Sequence, residues 1–234
     1  MVPAAYGMWV VLFALLGIAV LRMLGLIEGG HAAIYAGAVG AMGALGLIDD
    51  LFGTREVGGF RGHFVKLFRE GRVTTGAVKA IGGGIVALAI GASVSGGDVL
   101  QLVMAAGLVA LSANALNLLD LRPGRASAVF FCGMAVSAAG FGFVSPWAVA
   151  AVVLPAFIGY WWDRNARAMM GDVGSNALGA ALGVTVALSA PAWAQAAFLA
   201  LLLALNIYSE KRSITEAVES HPVLRQIDRL TGVR

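Results

Sequence analysis

The sequence predicts an all-α polytopic membrane protein of about eight transmembrane helices, and three observations carry that prediction. The 234-residue chain is 59% hydrophobic and only 12% charged, with a mean hydropathy of +0.86, well outside the range of water-soluble globular chains. Its apolar residues fall into runs of roughly 20, the length that crosses a bilayer as a helix. Its charges collect in alternate connections between those runs.

In order, the runs are 4–24, 32–50, 76–95, 99–118, 126–144, 146–162, 174–191 and 193–209. The last four pair into two hairpins, turned at Ser145-Pro146 and Ala190-Pro191. Proline and the residue before it both disfavour a continuing helix. The 32 glycines suit close helix–helix approach in lipid, where small residues let backbones touch. The single cysteine, Cys132, lies in an apolar run, which excludes an internal disulfide and argues against redox chemistry. No basic region precedes the first run, so a cleaved signal peptide is not expected.

The connections after runs two, four, six and eight hold Arg55, Arg61, Lys66, Arg69, Arg72, Arg122, Arg125, Arg164, Arg167, Lys211, Arg212, Arg225, Arg229 and Arg234. Lys79 lies just inside run three on the same side, and Arg22 alone falls at the opposite face. The positive-inside rule then puts these connections and both termini in the cytoplasm. The expected organisation is a transmembrane helical catalytic domain over 1–209 and a cytoplasmic amphipathic tail over 210–234. The tail opens on the capping-box pattern Ser213-Ile-Thr-Glu216. Two short helices along the membrane surface would satisfy its apolar spacing, and so would a solvated tail.

The acids matter most for function. An Asp near a bilayer centre costs roughly 2.5–3.5 kcal/mol on insertion scales. In Met170-Gly-Asp-Val-Gly-Ser-Asn176, Asp172 stands between Gly171 and Gly174 where one run gives way to the next. Ser175 and Asn176 are candidate caps for the following helix, whose N-terminus favours anionic groups. Run two ends in Asp49-Asp50, adjacent carboxylates that need a cation, a metal or a proton to offset their repulsion. Run four ends in Asn114-Ala-Leu-Asn117-Leu-Leu-Asp120, with the two asparagines near one helix face. Asp163 follows run six. Topology gathers these acids at one membrane face beside Lys79. Each alone is tolerable at a helix end, but together they suggest a site. Hard oxygen donors suit Mg²⁺, which binds through one or two carboxylates plus substrate phosphates. The scattered His31, His63 and His221 offer no zinc site, and no Gly-x-Ser-x-Gly elbow is present. A transporter would need ionisable groups at midplane, and the middles of these runs hold none.

In this order, Asp49-Asp50, Asn-x-x-Asn-x-x-Asp at 114–120 and Met-Gly-Asp-x-Gly-Ser at 170–175 resemble the polyprenyl-phosphate N-acetylhexosamine-1-phosphate transferase superfamily. Its members include the phospho-N-acetylmuramoyl-pentapeptide transferase and GlcNAc-1-phosphate transferase types. The likeness covers roughly 2–208 and extends to Val2-Pro-Ala-Ala-Tyr-Gly7, which resembles the end of that family's first cytoplasmic loop. Relative to the family, a first and a last helix are missing.

The resemblance implies Mg²⁺-dependent transfer (Mn²⁺ being an alternative) of sugar-1-phosphate from a UDP-sugar to undecaprenyl phosphate in the bacterial cytoplasmic membrane, for cell-envelope polymer synthesis. It makes Asp172 the metal ligand, with Asp50 in the metal and phosphate network and Asp49 the base acting on the lipid phosphate. Asn117 and Asp120, with Asn114, would line the nucleotide-sugar side, and Lys79 would contact phosphate. The insert Gly58-Gly-Phe-Arg-Gly-His63 and the Thr74-Thr75-Gly76 helix start fit either phosphate handling, with His63 binding substrate, or a plain loop and cap. No nucleic-acid partner is expected, and a homodimer is compatible with the glycine-rich bundle. Three departures bear on the donor. Pro123 replaces the second acid of the third motif, Trp162 stands where an asparagine is expected, and the histidine-rich loop is absent. The alternative is a catalytically degenerate scaffold that binds lipid phosphate.

Overall fold

The computed structural model describes residues 6–53 and 75–232. The insert 58–63 with His63, together with Thr74 and Val2–Ala5, lies outside the described residues. The regular structure of the described residues is helical. The helices are α1 (Tyr6–Met23), α2 (Gly29–Phe52), α3 (Thr75–Ser95), α4 (Val99–Leu119), α5 (Arg125–Phe141), α6 (Pro146–Arg164), α7 (Gly171–Ser189), α8 (Ala192–Lys211), α9 (Ile214–Ser220) and α10 (Pro222–Thr231). Each of the eight apolar runs corresponds to one of α1–α8, with ends within three residues of those expected. Among the described residues five helices, α1, α2, α3, α4 and α8, are long and apolar enough to cross a membrane.

The bundle is built around α7, where 16 of 19 residues are buried. Its composition explains how so many neighbours reach it. Ser175, Gly179, Gly183 and Ala187 recur every fourth residue, the spacing at which small side chains form one flat stripe for backbone contact. Against that stripe lies α4. A Cβ at Gly179 would fall 2.6 Å from the Ala113 Cα, and one at Gly183 would fall 2.6 Å from the Leu108 carbonyl oxygen. On another side α2 presents Gly46 to the Asp172 and Val173 backbone, and α1 presents Gly7 to Met170 and Gly174, again with no room for a side chain. With α7 sheathed in this way, lipid-facing apolar surface falls to the outer helices, for example Leu12, Phe13 and Leu16 on α1.

The helix starts follow local chemistry. Asp98 caps α4 by accepting from the Leu100 N–H at 2.8 Å, and prolines open α6 and α10 at their first turns. Ser213 caps α9 through the Glu216 N–H at 3.3 Å, as its capping-box pattern predicts. The tail is docked on the bundle. The Arg125 guanidinium grips Asp228 through Nε at 2.7 Å and Nη2 at 3.0 Å, both side chains being buried.

Candidate functional site

The head of α7 organises the site. Gly171 has φ +71°, which only glycine adopts without strain, and this lets the chain turn from the 165–170 connection straight into the helix. The first N–H groups of any helix lack intrahelical partners and carry partial positive charge. Here other helices supply the acceptors. The Gly171 N–H points at the Asp120 carboxyl group, while the Asp172 and Val173 N–H groups donate to Asp50 Oδ1 and Oδ2, each at 3.1 Å. The expected caps, Ser175 and Asn176, instead lie one turn inside the helix. Asn176 Nδ2 donates to the Asp172 carbonyl at 2.7 Å. Gly46 explains the trans cap: its backbone contact with Asp172 brings the end of α2, one turn later, over the head of α7.

Asp49 and Asp50 therefore part company. Asp50 has both oxygens on the α7 backbone, whereas Asp49 faces Lys79. The Lys79 ammonium, one turn into α3, lies 2.5 Å from Asp172 Oδ2 and 3.5 Å from Asp49 Oδ2. The two carboxyl groups also approach each other directly, and Thr75 hydrogen-bonds Asp49. Asn117 Nδ2 donates to Ser175 Oγ at 3.2 Å and its side chain also reaches Asp172. Asn114 turns toward α8, donating to Asn206 Oδ1 at 2.5 Å.

These groups close the polar end of a cleft of about 330 Å³ between α2, α3, α4 and α8. Asp49, Lys79, Asn114, Asn117, Asn176 and Glu210 line that end, and Met42, Leu45, Ala80, Gly83, Leu111 and Leu118 line the apolar remainder. An amphipathic occupant matches both ends.

Behind the cleft lies a second acidic pair. Asp163 is fully buried, its Oδ2 accepting from Ser127 Oγ at 2.6 Å and from the Tyr6 hydroxyl at 3.0 Å. Asp120 is the residue that ends α4, and its Oδ1 has no hydrogen-bond partner among the described residues. Burial, reinforced by the charges of Asp163 and Asp172, pushes the Asp120 carboxyl up to about 8. It is thus held mostly protonated near neutrality.

Of the predicted site residues, the structure gathers Asp49, Asp50, Lys79, Asn117, Asp120 and Asp172 around the head of α7. Asn114 sits in the cleft wall. Sequence reasoning missed Asn206 and Glu210. Asn206, a polar residue near the end of a largely apolar run, was the available signal for that helix. Among the described residues no cluster of three or more His, Cys, Asp or Glu side chains could hold a metal unaided. Comparison of the sequence with models of known protein families gives no match, and comparison with curated proteins gives none.

Proposed function

We propose that this chain is a phosphoglycosyl transferase that moves a sugar-1-phosphate, of N-acetylhexosamine type, from a UDP-sugar to undecaprenyl phosphate. In this reading α1–α8 all cross the bacterial cytoplasmic membrane, and the acidic ends face the cytoplasm. The observation that carries the proposal is the Asp49–Lys79–Asp172 cluster at the polar end of an apolar cleft. A prenyl chain suits the apolar wall and a phosphate suits the lysine. The three motifs that resemble the polyprenyl-phosphate transferase superfamily supply most of this cluster.

The donor set also fits Mg²⁺. Asp172 offers hard oxygens beside a position now neutralised by an ammonium, and phosphates and water would complete the shell, whereas Asp50, expected in the metal network, has both oxygens on the α7 backbone. When bound, the ion would offset charge on the phosphoryl oxygens and the leaving group. Asp50 would hold the head of α7, and with it Asp172, in position through both its oxygens. Lys79 would turn from the carboxylates to phosphate oxygens as substrates enter. Asp49 would take the proton of a monoprotonated lipid phosphate. A lipid phosphate oxygen then attacks the β-phosphorus; the new P–O bond forms as the bond to the α–β bridging oxygen breaks, and UMP departs. Asn117, Asn114 and Asp120 would border the nucleotide-sugar side.

The test is transfer of label from UDP-GlcNAc, and separately from UDP-MurNAc-pentapeptide, into undecaprenyl phosphate by purified protein with Mg²⁺. Lipid-linked label that disappears in Asp172→Ala is the expected result and identifies the donor. No label from either donor, with lipid phosphate still bound, would favour the degenerate-scaffold reading.

A further inference from the structure

We propose that α10 is an interfacial anchor that lies in the lipid headgroup layer with its apolar stripe toward the acyl chains, and that the Arg125–Asp228 pair sets its orientation. The inference is independent of which reaction the cleft performs. At about 3.6 residues per turn, Val223, Leu224, Ile227 and Leu230 form one stripe of α10, Asp228 borders it, and Arg225 and Arg229 lie on the far side. The four apolar side chains are 44–71% exposed, whereas Asp228 is 4% exposed. So large an apolar stripe on a ten-residue helix needs a cover.

The helix is not free to roll that stripe inward. Arg125 holds Asp228 by two nitrogens, and Arg125 Nη1 reaches Thr215 Oγ1 at 3.3 Å. Arg122 pairs with Glu219 of α9. At the far end of α10, the Thr231 carbonyl sits over Gly124 and the Gly232 backbone over Pro123, both too close for a Cβ.

What covers the stripe follows from its level. The Tyr160 hydroxyl donates to the Thr231 carbonyl at 3.0 Å, which sets the end of α10 beside the last turn of α6. That turn carries Trp161 and Trp162, 60% and 44% exposed. Exposed tryptophans are enriched at the membrane–water interface. A helix held at that level, apolar on one side and doubly arginine on the other, has the build of an interfacial helix. Asp228, the acid of α10, is already engaged by Arg125, so the exposed part of α10 carries no negative charge to oppose anionic headgroups.

The experiment uses the full chain with Cys132→Ser, labelled with an environment-sensitive fluorophore at Ile227→Cys or at Arg229→Cys, in vesicles of phosphatidylcholine and phosphatidylglycerol. The expected result is quenching at 227 by a spin label high on the lipid chain with loss of iodide quenching, and the reverse at 229. Iodide quenching of equal strength at both sites would overturn the proposal in favour of a solvated tail. Shielding of 227 from both quenchers would overturn it in favour of a protein partner or a second copy. Asp228→Ala is expected to erase the contrast between the sites while the protein still elutes as a single species. An undiminished contrast in that variant would remove the ion pair from the proposal.

Discussion

The two ends of α7 solve one physical problem in opposite ways. At the C-terminal end, the Ala187 and Ala190 carbonyls accept from Gln195 Nε2 at 3.1 and 2.9 Å, and Gln101 Nε2 adds 3.3 Å to Ala187 and 3.2 Å to Gln195 Oε1. Neutral amides suffice there. At the N-terminal end the same need is met by the Asp50 carboxylate and the largely protonated Asp120 carboxyl, with Asp172, Asp49 and Lys79 alongside. A serine or asparagine would cap an N-terminus about as well as an acid. Architecture alone therefore does not call for this concentration of charge, and the surplus belongs to chemistry.

The comparison breaks most plainly at Asp172. Asp172→Asn keeps the size and removes the charge, so label transfer is expected to fall by about 10³-fold, the scale for losing one electrostatic stabiliser of a transition state. Detergent-purified Asp172→Asn should elute and melt as the parent does. A variant that transfers label normally would place the surplus charge outside catalysis.

Second in size is a pH effect confined to the acidic end. The Asp120 carboxyl stands near 8 in the fold against 3.8 when free. Between those values the unfolded chain has released a proton that the folded chain keeps. Stability should therefore fall as pH rises from about 4 to about 8 and level off above that. Asp120→Asn is expected to flatten this slope in the melting temperature, and Gln195→Ala to leave it unchanged, since the amide end has no group that titrates.

Smaller effects sharpen the contrast. Asp50→Ala strips the acceptors from two N–H groups at once and should cost about 1–2 kcal/mol in denaturant unfolding, with activity lost through misplacement of Asp172. Gln195→Ala should cost about 1 kcal/mol and leave transfer intact, measured by the same two assays.

The helical segments were legible because apolar runs broken by Pro146, Pro191 and polar connections leave few choices for where helices begin and end. That the acids cluster was legible too, from the side on which each helix ends. The division of labour between Asp49 and Asp50 was not. Adjacent residues on a helix point about 100° apart, and only the packing of Gly46 on α7 decides which of them meets the α7 backbone and which meets Lys79. The same holds for Asp163, whose partners Tyr6 and Ser127 come from two distant helices with no marker in the sequence. The amphipathic spacing of the tail is legible in the sequence. Its anchoring through Arg125 was hidden, since Arg125 counts in the sequence simply as one more basic residue of a connection.

The glycine contacts along α7 also bear on how such a bundle can change over generations. Where two side chains collide, one can shrink to accommodate the other, and a second substitution rescues the first. Gly179 and Gly183 meet the main chain of α4, and Gly46 meets the main chain of α7. A backbone has nothing to shrink. Enlarging any of these glycines leaves no single compensating change available on the opposite helix, so this axis should drift more slowly than the large side chains around it.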